Sequence, residues 1–332
     1  MLTVTAGNDL PIARPSETIE LTAAQLAPLG DDLTRIHVYE RGKEVLAQVV
    51  GGTLLFQTDM PASGSRSFEL RLGDKRVYKR EDFRVYGRFV RERFDDFAWE
   101  NDRVAHRMYG AALETWEKEP LTSSTVDIWL KRTRRLVIND WYMADDYHRD
   151  TGEGADFYSA GKSRGCGGGG VWRDGKLVVS KNFRDSKVIA NGPIRLIFEL
   201  YYPDFNERKR ITLDAGQNFN RFESDVTDAA GIKKVAGQNM RIDRDRGIVR
   251  AWEAVKDNNG EFGCALVFDP KTIVDVVEAD GNQLIVTRTP GVYWVGTGWD
   301  RSGDFANRDA FDRYVDQWTQ RVRSPLRVEV TP

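Results

Sequence analysis

Short segments of alternating apolar and polar residues, each closed by turn-forming residues, recur along this 332-residue chain and restrict it to a β-rich fold. Side chains alternate across a strand, so period-two patterning over four to eight residues marks a half-buried strand. Near the N-terminus such segments fall at 19–21, 35–39, 45–50, 53–57 and 67–72, separated by turns such as Arg41-Gly42-Lys43 and Ser63-Gly64-Ser65. Short strands at regular spacing imply a sandwich. Residues 1–80 are therefore expected to form a small β-sandwich, with a helical turn only at 23–26 after Thr22. From Gly170 onward the pattern returns at 171–172, 177–179, 194–202, 209–213, 219–226, 247–252, 263–268, 272–277, 283–288 and 292–296. Turns rich in residues that tolerate positive φ, Asp257-Asn258-Asn259-Gly260 and Asp280-Gly281-Asn282, suit antiparallel hairpins. The expectation for 81–332 is a large two-sheet antiparallel sandwich with few short helices, making the chain mainly all-β. One helix is read at 311–323 from Phe311, Tyr314, Val315, Trp318 and Val322, capped by Asn307 or Asp309. Another is read at 127–136, carrying Trp129 and Leu130, and residues 326–330 form a last strand.

With 49 basic and 51 acidic residues, the net charge of −2 gives no basic excess for a nucleic-acid partner. No apolar run approaches the roughly 18 residues of a membrane-spanning helix. The N-terminus lacks the basic and apolar regions of a signal peptide. The expectation is a soluble protein, cytoplasmic, or periplasmic if an export signal has been removed. The strand-like start at Leu2 and Val4 leans toward removal. Two cysteines cannot make a disulfide framework. Cys166 lies in a glycine-rich stretch and Cys264 in an apolar strand, where a buried structural thiol is expected and a bridge has no support from sequence.

The run 140–170, DWYMADDYHRDTGEGADFYSAGKSRGCGGGG, has almost no aliphatic content yet holds three tyrosines and one of only three histidines. Long loops without a hydrophobic pattern are functional or disordered, and aromatics argue against disorder. The run is read as the wall of an active site. Its Gly161-Lys162-Ser163 imitates the end of a phosphate-binding loop, but that motif needs glycine at 156, which is Asp. That tripeptide is read instead as a flexible turn that lets backbone approach a ligand, and the four consecutive glycines 167–170 as a place of close packing or ligand approach. Among the acidic residues Asp140, Asp145, Asp146, Asp150, Glu153 and Asp156, a trio of His148, Asp150 and Glu153 could ligate a divalent metal. Solvated loop carboxylates are the plainer reading. No cofactor is required. Upstream, if residues 99–109 are extended, Asn101, Arg103, Ala105, Arg107 and Tyr109 share one face, suited to gripping a carboxylate on a hydroxyl-rich ligand. A surface strand with charge pairs is the alternative. The scattered tryptophans, Trp141 among them, suit stacking on sugar rings as well as a core.

The segments WENDRVAHRMYG (99–110), Tyr147-His148-x-Asp150-x-Gly-Glu-Gly-x-Asp156-x-Tyr158 and Gly161-Lys162-Ser163-x-Gly165-Cys166-Gly167-Gly168 resemble a bacterial family of domains of unknown function encoded in polysaccharide-utilisation gene clusters. The resemblance spans nearly the whole chain. It implies a galactose-mutarotase-like supersandwich, as in several polysaccharide lyases and oligosaccharide dehydratases, and β-elimination on uronic-acid oligosaccharides of algal or plant origin. That chemistry needs neutralisation of the sugar carboxylate, a base for the C5 proton and an acid for the leaving group. His148, Tyr158, His106 and Lys162 are the expected acid and base groups. Asn101, Arg103, Arg107, Tyr109, Trp141 and Arg164 are the expected substrate contacts, and an acidic oligosaccharide is the expected partner. A glycoside hydrolase or sugar epimerase using Asp150 and Glu153, and a non-catalytic glycan-binding protein, are the rival expectations.

Overall fold

The computed structural model describes residues 1–117, 121, 123–144 and 146–332. Asp145, one of the loop carboxylates named above, lies outside the described residues. The chain folds as antiparallel sheets with few short helices, an all-β sandwich architecture.

The small sandwich packs a five-stranded sheet on a three-stranded one. The first is ordered Arg327–Thr331, Leu2–Gly7, Ser65–Leu72, Ile36–Glu40, Lys43–Val45, and the second Arg14–Thr22, Thr53–Met60, Ala47–Val50. Leu2, Val4 and Ala6 point inward on one strand and Phe68 and Leu70 on its neighbour, as alternation dictates. The C-terminal strand pairs with Leu2–Gly7, so the chain ends beside its own beginning. The helical turn Ala23–Leu26 starts as expected at Thr22, whose hydroxyl and Gln25 form a reciprocal cap.

In the large part, an eight-stranded sheet running from Asp185–Asn191 to Asn239–Asp243 forms one layer. The facing layer is split into two five-stranded sheets rather than being one continuous sheet. One holds Val85–Val90, Asp96–Asn101, Ala105–Met108, Asp127–Lys131 and Gly154–Ala155; the other is centred on Cys166–Arg173, Ala229–Lys233 and Asn282–Thr287. All three sheets share one core, from Trp99 and Ile128 through Phe198, Ile211 and Phe222 to Ile232 and Val295. The helix Arg308–Arg323, capped by Asn307, lays Phe311, Val315 and Trp318 over the outer face of the eight-stranded sheet.

Two local expectations are corrected. Residues 127–131 form a strand, not a helix, because Ile128 and Leu130 face the shared core while Asp127 and Trp129 face away. Gly167–Gly170 form a strand whose glycines answer to close packing, one of the two expectations for them: a Cβ on Gly168 would lie 2.5 Å from the Arg164 carbonyl and 2.6 Å from that of Ser124. The backbone that approaches so closely is the protein's own. Cys166 and Cys264 are joined as a disulfide across the core, with Cα atoms 5.9 Å apart, where free thiols were expected. Among the described residues, no helix is long and apolar enough to cross a membrane.

Candidate active site

The sheet that includes Asp96–Asn101, Ala105–Met108 and Asp127–Lys131 has two buried faces. Its inner face is apolar apart from His106. Its outer face carries Asp96, Glu100, Arg107, Asp127 and Lys131, all buried, because residues 137–144 and 146–160 lie over it. The cover is fastened by backbone. Gly154–Ala155 adds as an edge strand beside Leu130 and Lys131, the Arg132 amide donates to the Glu153 carbonyl at 2.9 Å, and the Asp156 amide to the Tyr147 carbonyl at 2.8 Å. Glu100 closes one end of this layer. It accepts from Lys131 Nζ at 2.6 Å and from the amides of Val137 and Ile138 at 2.7 and 2.8 Å, which start the helix Ile138–Met143.

At the other end Arg107 is surrounded by carboxylates. Its Nε donates to Asp127 Oδ2 at 2.7 Å, its Nη2 lies 3.0 Å from Asp156 Oδ2, and its Nη1 lies 3.9 Å from Asp96 Oδ2. The Tyr109 hydroxyl donates to Asp127 at 3.3 Å, and Arg107 Nη1 donates to the Tyr147 hydroxyl at 3.3 Å. Burial disfavours the charge on Arg107, but Asp156 and Asp127 outweigh it and hold the guanidinium protonated. The pull of Arg107, and of Arg93 nearby, does not offset the burial of these acids. Burial pushes Asp96 up to about 7, and burial with the neighbouring Asp127 charge pushes Asp156 well above the carboxylate range. Neither carboxyl oxygen of Asp156 has a hydrogen-bond partner, nor has Asp96 Oδ2.

This charged layer opens into a cavity of about 280 Å³ lined by Arg93, Arg107, Tyr109, Asp127, His148, Asp156, Tyr158 and Lys256, among others. His148 Nδ1 is 2.9 Å from the Asp156 carbonyl oxygen and 3.7 Å from its carboxylate, an anchor that leaves Nε2 free, with the side chain 60% exposed. Tyr158 packs edge-on against Phe262, and burial raises its phenol well above the usual range, keeping it protonated. Arg93 lies over the rings of Phe94, Trp116 and Tyr147, donates to the Tyr147 hydroxyl through Nε, and leaves Nη1 without a partner.

Of the expected residues, the structure brings Arg107, Tyr109, His148 and Tyr158 together. It does not bring the others there. His106 points to the opposite, inner face, stacked on Trp99 at 5.2 Å, and burial drops its pKa to about 3, so it is a neutral core side chain. The hairpin turn between Asn101 and Ala105 breaks the assumed alternation. Asn101 is consumed by that turn and by the carbonyls of Asp214 and Gln217, each at 2.7 Å, and Arg103 pairs with Asp304 at 3.0 Å. Arg164 is buried against the carbonyls of Ser124, Lys162 and Gly169. Lys162 is exposed on a turn outside the cavity, and Trp141 is packed behind it on Trp129. The metal trio is not assembled: Asp150 accepts from Arg132 and from the amides of Gly152 and Gly154, while Glu153 is paired with Arg135. Their oxygens are committed to cations and amides, which does not fit ligation of a divalent ion. Asp96, Asp127 and Arg93 were missed. The signal for Asp96 and Asp127 is charged residues amid strand-like apolar ones, legible only once the strands are correctly bounded.

An all-β protein with a buried acid–arginine layer opening into a polar, aromatic-walled cavity is thus the class that fold and site define. The chain belongs to the DUF4861 family of domains of unknown function, whose model matches residues 7–328. It is 32% identical to "Uncharacterized protein P7" of Formosa agariphila, over 98% of this chain and 93% of that one. Among solved structures, an active YidC insertase with its first transmembrane domain resolved aligns with a TM-score of 0.37 and 10% identity, over 69% of this chain and 45% of that one.

Proposed function

We propose that this protein is a carbohydrate-active enzyme that cleaves uronic-acid oligosaccharides by β-elimination in the cavity beside Arg107. The observation that carries the reading is the convergence of a tethered imidazole, a protonated phenol and an unsatisfied guanidinium on one cavity. In this scheme Arg93 takes the sugar carboxylate, making the C5 proton more acidic and stabilising the enolate that follows. His148 Nε2 accepts that proton. The C5 electron pair forms the C4–C5 double bond as the C4–O bond breaks, and Tyr158 donates its proton to the departing oxygen. Arg107, expected to bind substrate, instead holds Asp127 and Asp156, and through the Asp156 backbone it fixes His148. The family resemblance and the two-layer architecture support a galactose-mutarotase-like supersandwich. The disulfide Cys166–Cys264 supports an oxidising compartment such as the periplasm, because cytosolic thiols are kept reduced.

A second reading, hydrolysis, is favoured by one observation: Asp156 is a buried acid without hydrogen-bond partners beside the Asp127 carboxylate, the pairing of unlike carboxyl groups that glycosidases use. Incubation with galacturonate, glucuronate and mannuronate oligosaccharides separates the two. Growth of the unsaturated-uronate absorbance band supports elimination. Reducing-sugar release without that band shifts the assignment to hydrolysis, and glycan affinity with neither signal makes the protein a binding module.

A further inference from the structure

Tyr158 is a shared wall. Beyond it lies a second cavity of about 300 Å³, which has Phe157, Tyr158, Ser159 and Lys256 in common with the first and adds Lys233, Glu253 and Phe262. Lys233 Nζ stands 5.7 Å from the centre of the Tyr158 ring and donates to the Ser159 carbonyl. Among the described residues neither Lys233 nor Lys256 forms an ion pair, unlike Lys131, Lys209 and Lys234. Glu253, the acid in this chamber, accepts from Gln238 at 2.7 Å, and burial raises its pKa. Lys233 and Lys256 thus bring positive charge to this chamber without an ion-pair partner among the described residues. Phe262, Val235 and Val255 supply apolar surface beside these polar groups, the mixture that a sugar ring with one apolar face requires.

We infer that the second chamber is a subsite for the neighbouring unit of the same oligosaccharide, that this unit carries its own anionic group facing Lys233, and that the protein's ligand is thus at least a dimer with charge on both units. The inference rests on the proposed uronate site and adds length and charge pattern to it. An ammonium binds an anion as a point charge without the two-pronged geometry of arginine, so the second chamber selects charge more than orientation.

The test is calorimetric titration of galacturonate, glucuronate and mannuronate monomers, dimers and trimers into a His148→Ala background, which slows turnover. It is repeated with Lys233→Met and, separately, with Ala236→Trp, a bulky side chain at an exposed position on the rim of the second chamber. The expected result is a dimer bound about tenfold or more tighter than its monomer, the gain that one charge-assisted hydrogen bond supplies. Both variants remove this gain, leave monomer affinity unchanged and melt with the parent. A carboxyl-reduced second unit loses the gain in the parent as well. If monomers bind but the length dependence is missing, or survives both variants, the second subsite is overturned and the first-cavity reading stands. If no uronate binds at any length, the proposed function itself fails, and this inference fails with it. Should Lys233→Met not fold, Ala236→Trp alone decides.

Discussion

Replacing Asp96 with asparagine tests the central electrostatic claim, that the outer layer holds more acid than its cations neutralise. Asp96 is fully buried, accepts from the Gly110 amide at 2.9 Å through Oδ1, and has no hydrogen-bond partner at Oδ2. Its pKa is about 7 in the folded chain against 3.8 as the ordinary value. The folded state therefore binds the proton more tightly than the unfolded one. The corresponding stability is fully present below pH 3.8 and is lost as pH rises through about 7. At about 1.36 kcal/mol per unit, the accumulated loss is about 1.7 kcal/mol at pH 5 and about 4.4 kcal/mol at pH 9. The substituted carboxamide cannot ionise. It keeps the Gly110 contact, and whatever its amide nitrogen costs in that pocket is the same at every pH. The stability of Asp96→Asn relative to wild type should accordingly rise by about 3 kcal/mol between pH 5 and pH 9. Urea unfolding followed by tryptophan fluorescence at the two pH values, with a common slope, measures this directly. A difference that stays constant with pH, or moves the other way, would mean that Asp96 is ionised and well paired in the fold, and the over-acid layer would have to be abandoned.

Three further outcomes follow from the same geometry. His148→Ala and Tyr158→Phe should each lower kcat by about a hundredfold or more with melting temperatures near wild type, as for loss of a general base or acid; retained elimination in either variant removes that residue from the mechanism. Lys131→Met leaves Glu100 buried beside its two helix-starting amides without a cation and should cost about 3–5 kcal/mol in urea unfolding. A loss below about 1 kcal/mol, the range of exposed pairs, would contradict the burial of that pair. Reducing Cys166–Cys264, which spans 98 residues, should lower unfolding stability by about 4–5 kcal/mol, read as a shift in urea midpoint with and without reductant; an unchanged midpoint would show that the link does not constrain the unfolded chain.

Most of the strand pattern was legible because alternation is a local property. Leu196, Phe198, Leu200 and Tyr202 alternate inward along one strand, Ile211 and Leu213 follow on its partner, and Asn307 caps the long helix. The site was only half legible. His148 and Tyr158 stand out as chemistry-bearing residues in a run with no core to build, and the structure gathers them with Arg107 and Tyr109. Asn101 and Arg103 failed because continuous alternation was carried through 102–104, where the chain turns and resets the faces. Asp127 failed because Trp129 and Leu130 invite a helix, and nothing local reveals that Asp127 lies opposite Arg107 on the paired strand. Pairing register and disulfide partners depend on residues distant in sequence, which a local pattern does not encode.

The placement of the charged layer follows from the same constraint. A site inside the sandwich would have to displace apolar core, and each carboxylate there would be isolated in a medium that opposes its charge. On the outer face, Arg107 collects Asp127 and Asp156, one from the neighbouring strand and one from the cover. The cover segment then needs little aliphatic content, because it closes over polar groups, and needs glycine where its backbone crosses the sheet edge. Gly154, at φ +105°, would bring a Cβ into the Leu130 carbonyl. The odd composition of residues 140–144 and 146–160 is therefore a consequence of lying on a charged surface rather than on a core. The same layer leaves Asp156 without hydrogen-bond partners, at the wall of the cavity where His148 is anchored to its backbone.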